Sequence, residues 1–535
     1  MKNFNRSVLG TLIIGSVIRM NQEHYDNGTF GYEGNFPNIP TSQRPHIFLS
    51  LLLFGFFWLS IPASGQTLIS LESAMEIAEK SSPSIQRSLY NIEQYQFSLK
   101  AERASLKSRF SLTLNPFNFS NNRQFDNQFS QWFTNRSLYS SGTLRVEQPI
   151  LKTDGTIALI NALSWRSNRT DIAGFGENSN KAFYNNLYLI LNQPIFTFNR
   201  RKMQLEELEL NYENANLQYA IQRLSLEKTI TTQFFDVYLS QLNLDIAREE
   251  LNNTTNNFEI IKNKVEAGLL AEEELFQAEL NLASAQLRLQ DSELSLANAE
   301  ETFKREIGMS LDENIRLSTD LDVKEVVVDL DKAINYALDS RMELRQRQIS
   351  IEQSEFDLIR TRSQNEFRAD LELSLGIFGD NERFGDIYNT PTNNPSVGLS
   401  LNIPIFDWGE RAARVQAQEV AIRSQQLDLQ EDQKQIRMEI RQAYRSIQTQ
   451  MPRIEIARKS VENAERTYDI NLERYINGDL SGIDLQQFQN QLSTQKIEYA
   501  RALINYKTQL LDLKILTLFD WEKQEPVSVA LPANR

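Results

Sequence analysis

Two acidic clusters are the residues whose type and spacing could do chemistry. Glu272, Glu273 and Glu274 stand together, and Asp479 stands close to Asp484. Grouped carboxylates can serve as an acid–base pair when a cleft holds them. Little else competes. The chain of 535 residues has no cysteine, and its 2 histidines, His24 and His46, both fall near the amino terminus, ahead of the expected mature start. That excludes disulfides, thiolate metal sites and cysteine nucleophiles, and leaves the mature chain without the usual bases and zinc ligands. No catalytic residue, metal site or cofactor is expected. The acids lie mostly on helical patterns, where a solvated face is their ordinary role, so a periplasmic carboxylate-dependent hydrolase is a weak alternative. The balance of 56 basic to 70 acidic residues disfavours a nucleic-acid partner.

Both clusters follow a glycine turn between long helical patterns, and the two stretches are in register. Adding 210 to the residue number carries Gly268 onto Gly478, Leu275 onto Leu485, Phe258 onto Tyr468, Phe234 onto Tyr444 and Pro194-Ile-Phe196 onto Pro404-Ile-Phe406. A register held that far marks an internal repeat of supersecondary size. Each copy reads as helix, strands, Pro-Ile-Phe, a very long helix, the glycine turn and a returning helix. The opening helices are Leu71 onward, expected to run to about Ser108, and its twin Leu330 onward.

Between helices the period switches to two. Leu187, Leu189 and Leu191 alternate with polar or other residues, as do Leu371, Leu373, Leu375 and Ile377, then Val397, Leu399, Leu401 and Ile403. Segments near ten residues with one apolar face suit membrane barrel strands; a half-buried soluble sheet alternates identically. The first copy carries an insert with two further alternating stretches, around Tyr139–Ile150 and Thr156–Trp165, which reads as an extra hairpin of unassigned place.

Helix length is also informative. From Asn199 to Lys264 there is neither proline nor glycine, which allows roughly 97 Å of helix at 1.5 Å per residue. The return arm, from Leu270 to Ile307, reaches about 57 Å. One long helix therefore matches two shorter ones end to end, with 308–330 as a waist. The return arms keep heptad spacing at Leu275, Ala278, Leu282, Ala285 and Leu289, and at Leu485, Phe488, Leu492, Gln495 and Tyr499, which implies left-handed supercoiling. Pro452 breaks the pattern of the second long helix, where a bend or irregular turn is expected.

Residues 47–61 form an apolar run of secretory-signal length with small residues after it. The domains are therefore 1–65, an upstream segment and signal; 66–329, the first repeat; 330–523, the second; and 524–535, a tail.

The duplicated pattern, with Tyr475, Gly478, Ser481 and Asp484-Leu485 at one turn and Gly268 and Glu274-Leu275 at the other, resembles the TolC-type outer-membrane efflux proteins. The resemblance covers roughly residues 68–523. It implies a mixed α and β fold, with a long antiparallel α-helical coiled-coil barrel joined to a transmembrane β-barrel. A homotrimer would form that barrel, each chain giving four strands to twelve. It implies an exit duct in the outer membrane, its helical tunnel in the periplasm, serving tripartite efflux or type I secretion. The partners implied are a periplasmic adaptor (membrane fusion protein), an inner-membrane pump and outer-membrane lipid. The pore aperture would comprise Asp484, matching the family's aperture acid, then Glu274, Asp479, Glu273, Glu272 and Tyr475. Gly268, Gly478, Leu269, Leu480 and Ser481 would form the tip turns and dock the adaptor. Pro194 and Pro404 would mark strand-to-helix junctions. Leu480 and Gln487 depart from the family tip, which often has an arginine and a second acid there. A non-conducting coiled-coil envelope scaffold is the alternative from another class.

Overall fold

A computed structural model describes residues 67–127, 130–172, 176–318 and 322–527, all within one unit, Gly65–Arg535. The expected signal lies outside these residues. The first half opens with β1 (Thr67–Ile69), α1 (Leu71–Ser81) and α2 (Pro83–Ser105). Four strands follow: β2 (Arg109–Asp126), β3 (Gln131–Ile150), β4 (Gly155–Ile172) and β5 (Gly176–Ile195). Then come α3 (Arg200–Glu266), α4 (Glu272–Ile307) and β6 (Ile315–Leu317). The second half has α5 (Leu330–Ser340), α6 (Met342–Arg362), β7 (Arg368–Asn381), β8 (Thr392–Asn402), α7 (Glu410–Asn477) and α8 (Gly482–Thr517). A short pair, β9 (Phe519–Asp520) and β10 (Glu525–Pro526), closes it.

The long helices are 67 and 68 residues and their return partners 36 each, or about 100 Å against about 54 Å. Each long helix packs on a shorter one near the sheet and on its return arm beyond the waist: α3 on α2 and α4, α7 on α6 and α8. At the waist α1, β1, β6 and α3 enclose Ile69, Ala78, Ile230, Phe234, Phe303 and Ile307. Truncating the fully buried Phe234 to alanine would cost about 3–5 kcal/mol.

Several expectations are corrected. The opening helix is two, because Ser82 precedes Pro83 and is extended (φ −61°, ψ 127°), the conformation a following proline favours. The matching break at Arg341 has no proline; there the guanidinium bonds Glu343 and Glu439. Of the bend or irregular turn expected at Pro452, the irregular turn is absent: α7 stays helical through it. Proline removes one hydrogen bond, and the burial of Ile447, Gln450 and Ile454 around it holds the helix.

The largest correction concerns the sheet. Among the described residues it has six strands, not the four implied by the resemblance, in the order β2-β3-β4-β5-β7-β8, every neighbour antiparallel. The extra hairpin is β3–β4, set between β2 and β5. One face is apolar: Val146 pairs Leu159, Leu159 pairs Leu189 and Leu189 pairs Leu375. The other is polar, with Arg145, Ser164, Tyr184 and Asp380. Strand β2 keeps its apolar row through a change of parity. Phe110, Leu112 and Leu114 give way to Phe117 and Phe119 across a bulge between Asn115 and Asn118. The extra residue of a bulge makes that switch.

The four strands of the first half are 18–20 residues long, twice the expected ten. Only their lower parts, such as 157–165 and 183–191, carry the apolar row; the upper parts, such as 120–124 and 166–171, are largely polar on both faces. Period-two hydrophobicity stops where the apolar row stops, so the sequence pattern marks only half of each strand.

Candidate functional site: the paired helix turns

The two glycine turns end α3 and α7 in the same way. The Leu269 N–H donates to the Lys264 carbonyl (2.8 Å) and the Gly268 N–H to that of Val265 (2.9 Å). The Asp479 N–H donates to Arg474 (2.9 Å) and the Gly478 N–H to Tyr475 (3.1 Å). This is the Schellman pattern, whose left-handed residue is normally glycine. Gly268 has φ +74° and Gly478 φ +87°, with open space where a Cβ would stand.

The return helices begin differently. Ser481 caps α8: its hydroxyl accepts from the Asp484 N–H (3.2 Å) and donates to the Asp484 carboxylate (2.8 Å). Asp484 is exposed but engaged at the positive end of the helix, where a carboxylate is favoured. Ala271 gives α4 no side-chain cap, and Glu272, Glu273 and Glu274 occupy its first turn. Glu272 and Glu273 are exposed and Glu274 is half-buried. Asp479 is exposed, Leu480 half-buried, and Leu269 is 73% exposed; Ile476 and Ile483 are exposed as well.

Tyr475 joins the two turns. It is buried, with the Lys264 ammonium 5.8 Å from its ring centroid. A methyl on Gly482 would touch both its ring and Ile261. Burial, and secondarily the charge of Glu274, pushes its hydroxyl pKa above the usual tyrosine value. Among the described residues that hydroxyl has no hydrogen-bond partner. The structure thus gathers Tyr475 with Glu274, and Asp484 with Ser481; Asp479, Glu272 and Glu273 are exposed. Pro194 is the penultimate residue of β5, and Pro404 lies just beyond β8.

A clamp above the turns escaped the sequence reading. Arg288 of α4 reaches Glu250 of α3 at 2.8 Å, and Gln486 of α8 donates to the same carboxylate at 3.2 Å. Gln486 also donates to Asn490 of α8, at 3.2 Å. Glu250 is 5% exposed. The missed signal was its position: it falls in the apolar series of Ala247, Thr254 and Ile261, where a charge requires a partner.

At the opposite end, the strand-to-helix junctions expose aromatic and aliphatic side chains. Phe196 packs on Phe367 and Phe406 on Trp408, and Ile405 and Trp408 are 93% and 90% exposed. Such a girdle flanks the apolar band of a membrane barrel. Among the described residues no helix is long and apolar enough to cross a membrane.

A sheet with one apolar and one polar face, an aromatic girdle and long helices doubling back at glycine turns make up the fold of several solved outer-membrane channels. The Campylobacter jejuni CmeC outer membrane channel superposes with TM-score 0.63 at 16% identity, over 86% of each chain. The Neisseria gonorrhoeae MtrE channel in its open state gives 0.59 at 15%, over 86% of this chain and 90% of that one. Vibrio cholerae VceC gives 0.58 at 14%, over 86% and 97%. Among curated proteins no match to the sequence is found. The outer membrane efflux protein family matches residues 74–309 and 333–517, well over half of the chain. The chain belongs to that family: it is an efflux channel of the outer membrane, not an enzyme.

Proposed function

We propose that three copies of this chain form a passive exit duct. Each contributes two structural repeats, its sheet to a closed transmembrane barrel and its helices to a periplasmic tunnel. An inner-membrane pump drives cargo into the duct through a periplasmic adaptor. The observation that carries this is the two-faced sheet whose edges, β2 and β8, are unpaired among the described residues. Open edges are not tolerated in lipid, so copies must close the sheet. The matched lengths of the helices in the two halves support the repeats. Faces of the helices left bare within one copy support the ring. Leu280, Leu287 and Leu294 of α4 are each about 61–62% exposed at heptad spacing, and Val420 and Leu427 of α7 are similarly bare. Leu269, Ile476 and Ile483 offer apolar footholds for the adaptor at the tip.

Threefold symmetry turns each tip acid into a ring, and carboxylate rings select cations in narrow pores. Asp484 and Glu274 are the proposed aperture acids, with Glu272, Glu273 and Asp479 around them. The test is planar-bilayer recording of the detergent-purified protein. Asp484→Asn should weaken block by trivalent cations added from the periplasmic side; unchanged block would leave Asp484 its capping role alone. A preparation that never conducts would favour the envelope scaffold.

A further inference from the structure

We propose that the hairpin β3–β4 is part of the barrel wall, so that the trimeric ring has eighteen strands, joined copy to copy by β2 of one chain and β8 of the next. The inference rests on the duct reading above and goes beyond it in strand number, seam and width. An even number of strands per copy makes β2 and β8 run in opposite directions. Neighbouring copies therefore meet with the antiparallel pairing used everywhere inside the sheet. The apolar rows continue across that seam: Phe110, Leu112 and Leu114 on β2 and Val397, Leu399 and Leu401 on β8 lie on the same face and are all 50% exposed or more.

The hairpin is bonded into the wall at three levels. Its strands pair outward along their length, β3 with β2 from Glu147–Arg109 up to Gln131–Asp126 and β4 with β5 from Thr156–Asn192 up to Ile172–Gly176. On the polar face the Arg166 guanidinium lies 5.5 Å from the Tyr139 ring and 5.8 Å from that of Tyr184, tying the hairpin to β5. At the helical end no helix continues from it. Its turn is instead anchored by Arg201 in the first turn of α3, which donates to the Asp154 carboxylate (3.0 Å), the Gly155 carbonyl (3.2 Å) and the Thr156 hydroxyl (3.0 Å). Gln193 donates to the Thr153 carbonyl beside it (2.8 Å).

Strands about 4.8 Å apart and tilted about 40° give a ring roughly 36 Å across for eighteen strands, against roughly 24 Å for twelve. The exit is thus half as wide again, and its narrowing lies elsewhere along the duct. Conductance would be limited by the tip, so the wall must be read by labelling.

The chain lacks cysteine, so single introduced thiols report cleanly. Leu159→Cys and Ser164→Cys, each carrying a small fluorophore, would be reconstituted into vesicles. Brominated lipid should quench the label at 159 several-fold more than that at 164, and aqueous iodide should do the reverse. Iodide quenching of both, with neither reached by brominated lipid, would place the hairpin inside the lumen and overturn the proposal while leaving the duct intact. In parallel, Ser111→Cys with Ser400→Cys, treated with a short bismaleimide, should give a ladder of bands ending at three chains. A ladder ending at two or four, or none from protein that floats with vesicles, would overturn the eighteen-strand ring. Failure to float at all would refute the duct reading together with it.

Discussion

Removing Arg288 should release the tip. Its guanidinium is the only cation on the Glu250 carboxylate among the described residues, at 2.8 Å, and Gln486 alone remains as a donor if it goes. A hydrogen bond to a charged group is worth about 1.5–3 kcal/mol. The Arg288 side chain is 50% exposed, so solvent screening reduces the loss to about 1–1.5 kcal/mol. That corresponds to roughly a 5- to 12-fold shift per copy between clamped and released helices. Arg288→Met keeps the aliphatic stem, and in planar bilayers it should raise the fraction of time the tip conducts by at least that factor, since every copy loses its clamp; Arg288→Lys should restore part of the closure. Combining Arg288→Met with Glu250→Gln should cost less than the sum of the singles, a coupling of about 1 kcal/mol. An unaltered resting current from an intact Arg288→Met assembly, or strictly additive effects, would refute the clamp.

Tyr475→Phe should leave thermal stability unchanged or slightly raised, because it deletes a buried hydroxyl with no partner; a loss above about 1 kcal/mol in denaturant titration would show that a neighbouring copy satisfies that hydroxyl. Ser481→Ala should cost about 1 kcal/mol by uncapping α8, measured as a fall in Tm, whereas Ala271→Ser should stabilise α4 by a comparable amount. Hydrogen bonding to Arg345, opposed by partial burial, holds the Glu213 carboxyl below its ordinary pKa. A depressed pKa contributes stability above the unfolded value, which is lost as pH falls through the folded one. The Tm difference between wild type and Arg345→Ala should therefore shrink between about pH 5 and pH 3. Both side chains are more than a third exposed, so the corresponding loss of stability should stay below about 1 kcal/mol at neutral pH.

The helices and turns were legible because each is written by local chemistry. The proline- and glycine-free run before Lys264 became a helix of 67 residues. Gly268 and Gly478 marked the turns because only a left-handed residue closes that cap. The apolar row from Leu187 to Leu191 showed one face of a strand. What stayed hidden depends on neighbours distant in sequence. No local pattern says that β3–β4 inserts between β2 and β5, since pairing is settled by the whole ladder. The upper strands carry Asn, Arg and Ser on both faces and leave no periodic trace. At the tip, the acids were visible as residue types, but not that Ser481 would engage Asp484 or that Glu250 would meet Arg288 across helices.

The length of the strands has a consequence for delivery. Twenty residues in β3 or β5, at about 3.3 Å each and tilted about 40°, rise about 50 Å, while the apolar band of such a barrel is about 25 Å tall. In the proposed barrel, β2–β5 would then stand as a partial collar above the hydrocarbon, with Phe125 edge-on to Trp132 at its top, while β7 and β8, 14 and 11 residues long, would end lower. A solute leaving over the tall side of that collar would be set free about three Debye lengths from the hydrocarbon at physiological salt. There an amphiphile has bulk water, not the acyl chains it was taken from, as its nearest solvent. On that side, height alone would thus oppose re-entry into the membrane.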